Sequence, residues 1–122
     1  MKNELLDLKL SSADCEAILA AFPILTAPEF DISDEQAEIN LSAVKSASQK
    51  LVFQNQHFTP NEIRVISLAV ICAKEYLQGK MPLELPSDFK SEISSYFFNY
   101  NKMAPIFSEA LDRLSKQYGQ DN

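Results

Sequence analysis

Apolar residues recur along this chain with the spacing of helices, and the signal is clearest between Phe58 and Gly79. Thr59 is a good N-cap, because its hydroxyl can accept from a free amide one turn on. Pro60 falls at the first helical position, where its missing N–H costs nothing. Glu62 completes a capping box, and Phe58 can staple onto Ile63. Gly79 can take the left-handed conformation that ends a helix. Start, body and stop together predict a helix over 59–78. At 100° per residue, Arg64, Ser67, Lys74, Glu75 and Gln78 share one arc roughly 100° wide, with Ile71 in its middle. Nearly everything else from Ile63 to Leu77 is apolar or small. An ordinary surface helix has an apolar stripe little wider than about 100°. This one has roughly twice that, so the helix is expected in the middle of the fold with neighbours on at least two sides. It is not a membrane span, which needs about 20 apolar residues in a run that Arg64 and Lys74 interrupt.

The same grammar places four more helices. Ser11 caps a segment with Asp14 at its third position and Cys15, Ile18, Leu19 and Phe22 on one face, which Pro23 stops: a helix over 11–22. Residues 23–32 form a linker with Pro23 and Pro28, too apolar at Ile24, Leu25, Phe30 and Ile32 to be left in water. It is expected to pack along the core in extended form. Ser33 with Gln36 opens a helix over 33–54, whose buried face is expected to be Ala37, Leu41, Val44, Ser48 and Leu51. Asp34, Glu35 and Glu38 sit at its N-terminal end and Lys45 and Lys50 toward its C-terminal end, as the helix dipole prefers. Gln54–His57 is a polar joint. Ser87 caps a helix over 87–101 with Phe89, Ile93, Tyr96, Phe97 and Tyr100 on one side. Pro105 predicts a break near 101–104. A last helix follows over 105–118, with Ile106, Phe107, Ala110, Leu111, Leu114 and Tyr118 inward and two i,i+4 ion pairs, Glu109–Arg113 and Asp112–Lys116, outward. Residues 1–10 suit a short helix or an extended arm.

The expectation is an all-α, single-domain bundle of about five helices spanning residues 1–122, packed around a central apolar helix over 59–78. The length suits one domain. Only two glycines occur, and β-hairpin turns consume glycine, which reinforces the helical reading. The start of the chain carries acids and has no uninterrupted apolar run, so no signal peptide is expected. Cys15 and Cys72 fall on apolar helix faces and read as reduced core residues of a cytoplasmic protein.

The net charge of −6 is uneven. Residues 1–40 hold nine acids against Lys2 and Lys9, whereas 41–80 are net positive. An acidic chain repels phosphate, which disfavours nucleic acid as a partner. The acidic third reads as a solvated face or as a surface that docks on a basic partner.

Chemistry is sparse. His57 is the one histidine and has no Cys or His nearby in sequence, so no metal is expected. There is no Cys-x-x-Cys, no Glu-x-x-His and no glycine-rich phosphate loop. Asp31–Glu35 lacks the glycine and terminal glutamate of a calcium loop. No acid falls on an expected apolar face, where a raised carboxyl pKa would be found. These absences predict a protein that is not an enzyme, carries no cofactor and works by binding a protein partner or itself, as regulatory, inhibitor or immunity-type adaptors do. Large apolar residues left over after the core is assigned mark the expected interface: Ile39, Phe53, Ile71 and Phe98, with Arg64 and Lys74 beside Ile71. A second expectation is an aromatic-lined pocket for a small apolar ligand, built from Tyr76, Tyr96, Phe97, Tyr100 and Met103.

Overall fold

Described in the computed structural model are residues 6–7, 10–27, 30–53, 55 and 57–119. Among these the chain is an all-α bundle of five helices: α1 (Ser12–Ala21), α2 (Asp34–Val52), α3 (Pro60–Leu77), α4 (Ser87–Ser94) and α5 (Phe97–Gly119). A 3-10 turn over Phe22–Thr26 continues α1. One short antiparallel pairing joins β1 (Leu6–Asp7) to β2 (His57–Phe58), with Leu6 opposite Phe58. No described helix is long and apolar enough to cross a membrane. Most of the expected arm, Pro28 of the linker, Gln54 and Gln56 of the joint and the side chain of Tyr118 lie outside the described residues.

Helix starts follow local chemistry closely. At α3 the Thr59 hydroxyl accepts from the Glu62 amide at 3.3 Å, and the Glu62 carboxylate accepts from the Thr59 amide at 2.8 Å. Ser11 and Asp14 repeat this reciprocal pair at α1, at 3.1 and 3.2 Å. At α2 only half of the box forms. Ser33 accepts from the Gln36 amide, but the Gln36 side chain reaches forward to Asn40. Ser87 does not cap α4: it is the first helical residue, and the Pro86 carbonyl receives the first bonds. Gly79 ends α3 at φ +77°, with the Lys80 amide bonded to the Glu75 carbonyl and the Gly79 amide to that of Tyr76. Those two bonds satisfy carbonyls that the helix end would otherwise orphan.

Helix α3 touches each of the other four helices and the 3-10 turn. Ile63, Val65, Ile66, Ala69, Val70 and Ala73 on it are fully buried, as are Ile18, Ile24, Leu51, Phe58, Ile93, Tyr100, Met103 and Phe107 from around it. Burying an aliphatic or aromatic side chain of this size contributes about 1.5–3 kcal/mol. Ser67, in the polar arc of α3, is buried too, donating to the carbonyls of Ile63 and Phe107. The arc is thus covered in part by α5.

Other expectations are corrected as well. The linker packs along the core as expected but is extended only in part, at Ala27. Its first residues, 23–26, coil with Phe22 as a 3-10 turn, which sets Ile24 fully inward, while Ile32 remains 43% exposed. The break before the last helix lies at Ser95–Tyr96, and α5 runs unbroken through Pro105. The proline ring and Asn101, whose carbonyl loses its partner, both face solvent, where water can take the vacant acceptor. On the other side Met103, Ala104 and Phe107 are buried and hold the helix in line. Ile106, expected inward, is exposed. A further correction is to α2: Leu51 is buried as expected, but Ala37 and Leu41 are exposed and Val44 and Ser48 half-buried, and Ala43 and Ala47 join Leu51 in facing the core.

Proline inside a helix costs about 3 kcal/mol relative to alanine. Pro105→Ala is therefore expected to raise the urea midpoint without changing helicity. A fall in the midpoint would mean that the ring makes packing contacts worth more than the missing bond.

Candidate functional site

The inverted face of α2 follows from polar anchors on its other side. Glu62 on α3 is buried, and it accepts from Lys50 Nζ at 2.7 Å and from the Ser46 hydroxyl, both on α2. Lys50 also donates to the His57 carbonyl at 2.9 Å. Two residues along α3, Arg64 Nη2 donates to Asn40 Oδ1 at 2.9 Å, an oxygen that also accepts from Gln36. Asn40, Ser46 and Lys50 therefore point α2 toward α3, and only small residues and Leu51 are buried between them.

Asp14 plays the matching part for α1 and α5. Its buried carboxylate accepts from Asn99 Nδ2 at 2.9 Å and Lys102 Nζ at 3.0 Å. Neither acid was expected inside, and their titration runs opposite to that of a general acid. Burial on its own would raise both carboxyls. The bonds from Asn99, Lys102 and Ser11 outweigh it at Asp14, and those from Lys50, Ser46 and Thr59 at Glu62, so both are held below their ordinary values.

Turned outward, the stripe of α2 makes one wall of an open groove of about 680 Å³. Leu41 and Val44 stand on that wall, Leu19, Leu25, Phe30 and Ile32 face them from α1, the 3-10 turn and the segment after it, and Asn40 lies at the α3 side. Leu41 is 55% exposed. Exposed acids crowd the N-terminal end of this wall, at Asp31, Asp34, Glu35 and Glu38, and Lys45 stands exposed further along it. A second groove of about 610 Å³ lies between the start of α3 and the far half of α5, lined by Pro60, Arg64, Leu111 and Leu114 among others. Burial pulls the Arg64 guanidinium below its ordinary pKa.

The residues expected at an interface are not gathered into one patch. Ile39 lines one shallow depression, Arg64 the second groove, and Ile71 with Lys74 a third site beside Pro105. Ile71 is half-buried against the core and is not a free apolar residue. Phe53 and Phe98 are 81% and 75% exposed. The aromatic set is mostly core. Tyr100 and Met103 are fully buried, with the Tyr100 hydroxyl donating to the Ala17 carbonyl at 2.8 Å, and Tyr96 packs edge-on against Tyr100. Tyr76, Tyr96 and Phe97 are half-buried, and none of the five lines either larger groove. Periodicity assigns the groove residues Leu19, Leu25, Leu41 and Val44 to core or packed positions, and all but Leu41 do pack against the core with one side. The available signal was the row of polar residues at 36, 40, 46 and 50, which marks a second candidate inward face.

Cys15 and Cys72 are buried and unbridged. Burial, with Glu75 adding to it, pushes the Cys72 thiol up to about 11, and burial raises Cys15 likewise, so both stay protonated at neutral pH. Among the described residues no group of three His, Cys, Asp or Glu side chains could hold a metal ion. Compared with known protein families, curated proteins and solved structures, the chain matches none.

The folded-state pKa values of Asp14 and Glu62 are depressed, so their contribution to stability is present above the unfolded values of 3.8 and 4.5 and is lost as pH falls below them. Stability measured by urea unfolding is expected to drop through that window in wild type. Glu62→Gln is expected to lower stability at pH 7 and to flatten the drop. An unchanged acid limb in both Glu62→Gln and Asp14→Asn would remove these two acids as its source.

Proposed function

We propose that this protein works by binding rather than by catalysis, and that the groove between α2 and the 3-10 turn takes an amphipathic helix of a protein partner. The observation that supports this reading is the α2 stripe, where Leu41 is exposed and Val44, half-buried at the edge of the core, stands beside it, both facing a second apolar wall. Helix-in-groove recognition uses such anchors at i, i+3, i+4 and i+7. The acids at the end of the groove favour an occupant with basic residues on its polar side. Protonated core thiols and carboxylates held ionised speak for a non-catalytic, cytoplasmic protein. Burial of Tyr100 and Met103 in the core weighs against the aromatic pocket as a ligand site.

A fluorescent helical peptide with leucines at i, i+3, i+4 and i+7 and lysines on its other face tests this. Saturable binding with a micromolar Kd, near −8 kcal/mol, is expected. It should weaken with salt, weaken at least tenfold in Leu41→Asp, and be absent for the same peptide with glutamates in place of lysines. No binding at 100 µM, or binding indifferent to Leu41→Asp, would overturn the groove as the site.

A further inference from the structure

We infer that the helix this groove takes is α2 of a second copy, packed antiparallel across a two-fold axis beside Leu41; this rests on the groove reading above. The exposed apolar side chains already point to α2. Ile32, Ile39, Leu41, Val52 and Phe53 lie on it or next to it, against Phe98 and Ile106 elsewhere among the described residues. A two-fold interface must be self-complementary, each patch meeting itself. The α2 stripe meets that condition in shape and in charge.

Ala37, Leu41, Val44 and Ser48 share one face at 100° per residue. When two such stripes run antiparallel about a point just past Leu41, the side chains of one copy fall at heights between those of the other, and the rows interdigitate. The two Leu41 side chains meet next to the axis, and each is flanked by the apolar wall of Leu25 and Ile32 that borders its own groove.

Charge selects the same arrangement. Glu38 and Lys45 both lie on the outer flank of the stripe, about two helical turns apart, and both are exposed. A two-fold axis between them carries the flank of one helix beside the same flank of its mate with the direction reversed. Glu38 of each copy then stands opposite Lys45 of the other. A parallel arrangement would instead put the two outer flanks on opposite sides of the pair, so that Glu38 of one copy and Lys45 of the other could not meet. Neither charge has an ion-pair partner within its own chain among the described residues.

Charge swaps test this on the full chain by sedimentation equilibrium or light scattering over a range of concentrations. Both positions are exposed, so the variants are expected to fold, which circular dichroism checks. Wild type should form a dimer of the 13.7 kDa chain. Glu38→Lys and Lys45→Glu should each weaken dimerisation at least tenfold, and the double swap should restore it to within about threefold of wild type. A wild type that stays monomeric to several hundred micromolar overturns the self-association. If that monomer still binds the basic peptide in a Leu41-dependent way, the groove reading stands without it. If it binds neither, both fall. A dimer untouched by the single swaps, or not restored by the double swap, overturns the antiparallel α2 pairing.

Discussion

A carboxylate withdrawn from water has to be met by donors, and in this fold that requirement decides how helices face one another. Asp14 and Glu62 begin as helix caps, a purely local role. Each then spends its remaining oxygen capacity on a distant helix: Asp14 on Asn99 and Lys102 of α5, Glu62 on Ser46 and Lys50 of α2. Because Lys50 keeps partial contact with solvent while Glu62 does not, the pair is strongest as a constraint on geometry. Removing one member would leave the other poorly solvated. By contrast, the ion pairs Glu109–Arg113 and Asp112–Lys116 on α5 are exposed at both ends and contribute little.

That constraint explains why α2 gives up its better apolar face. Hydrophobic burial alone would turn Leu41 and Val44 inward. Satisfying Glu62 and Arg64 requires Ser46, Lys50 and Asn40 on the inner side, roughly a third of a turn away. The inner side then offers only Ala43, Ala47 and Leu51 for packing. The small residues let α2 approach α3 closely, and the displaced stripe becomes a surface. In the proposed reading, the conflict between the two faces of α2 is what leaves the protein with something to bind.

Much of the architecture was legible because capping is a short-range affair. Ser11, Ser33 and Thr59 announce helix starts, and Gly79 a helix end, within a few residues of where they act. The break before α5 was misplaced because a proline was read by its local cost, whereas Met103 and Phe107 on the buried side keep the helix continuous. The candidate groove was not legible for a related reason. Apolar periodicity picks out one face of α2, while the face that wins is chosen by bonds to Glu62 and Arg64, partners sixteen and twenty-four residues away. The aromatic residues of α5 look like a pocket lining in one dimension, but Tyr100 finds its hydrogen bond at Ala17, across the bundle.

Gly79 carries a last consequence, one of handedness. Its backbone lies in the region that L-residues avoid, yet a Cβ built there would meet nothing within 4 Å. The position thus disfavours L side chains, asparagine least, by chirality and not by crowding. A mirror-image alanine would sit there without strain and would narrow the unfolded chain's choices. In a chain short enough for chemical synthesis, the end of α3 is a place where a single D-residue would favour the turn that an encoded L side chain strains.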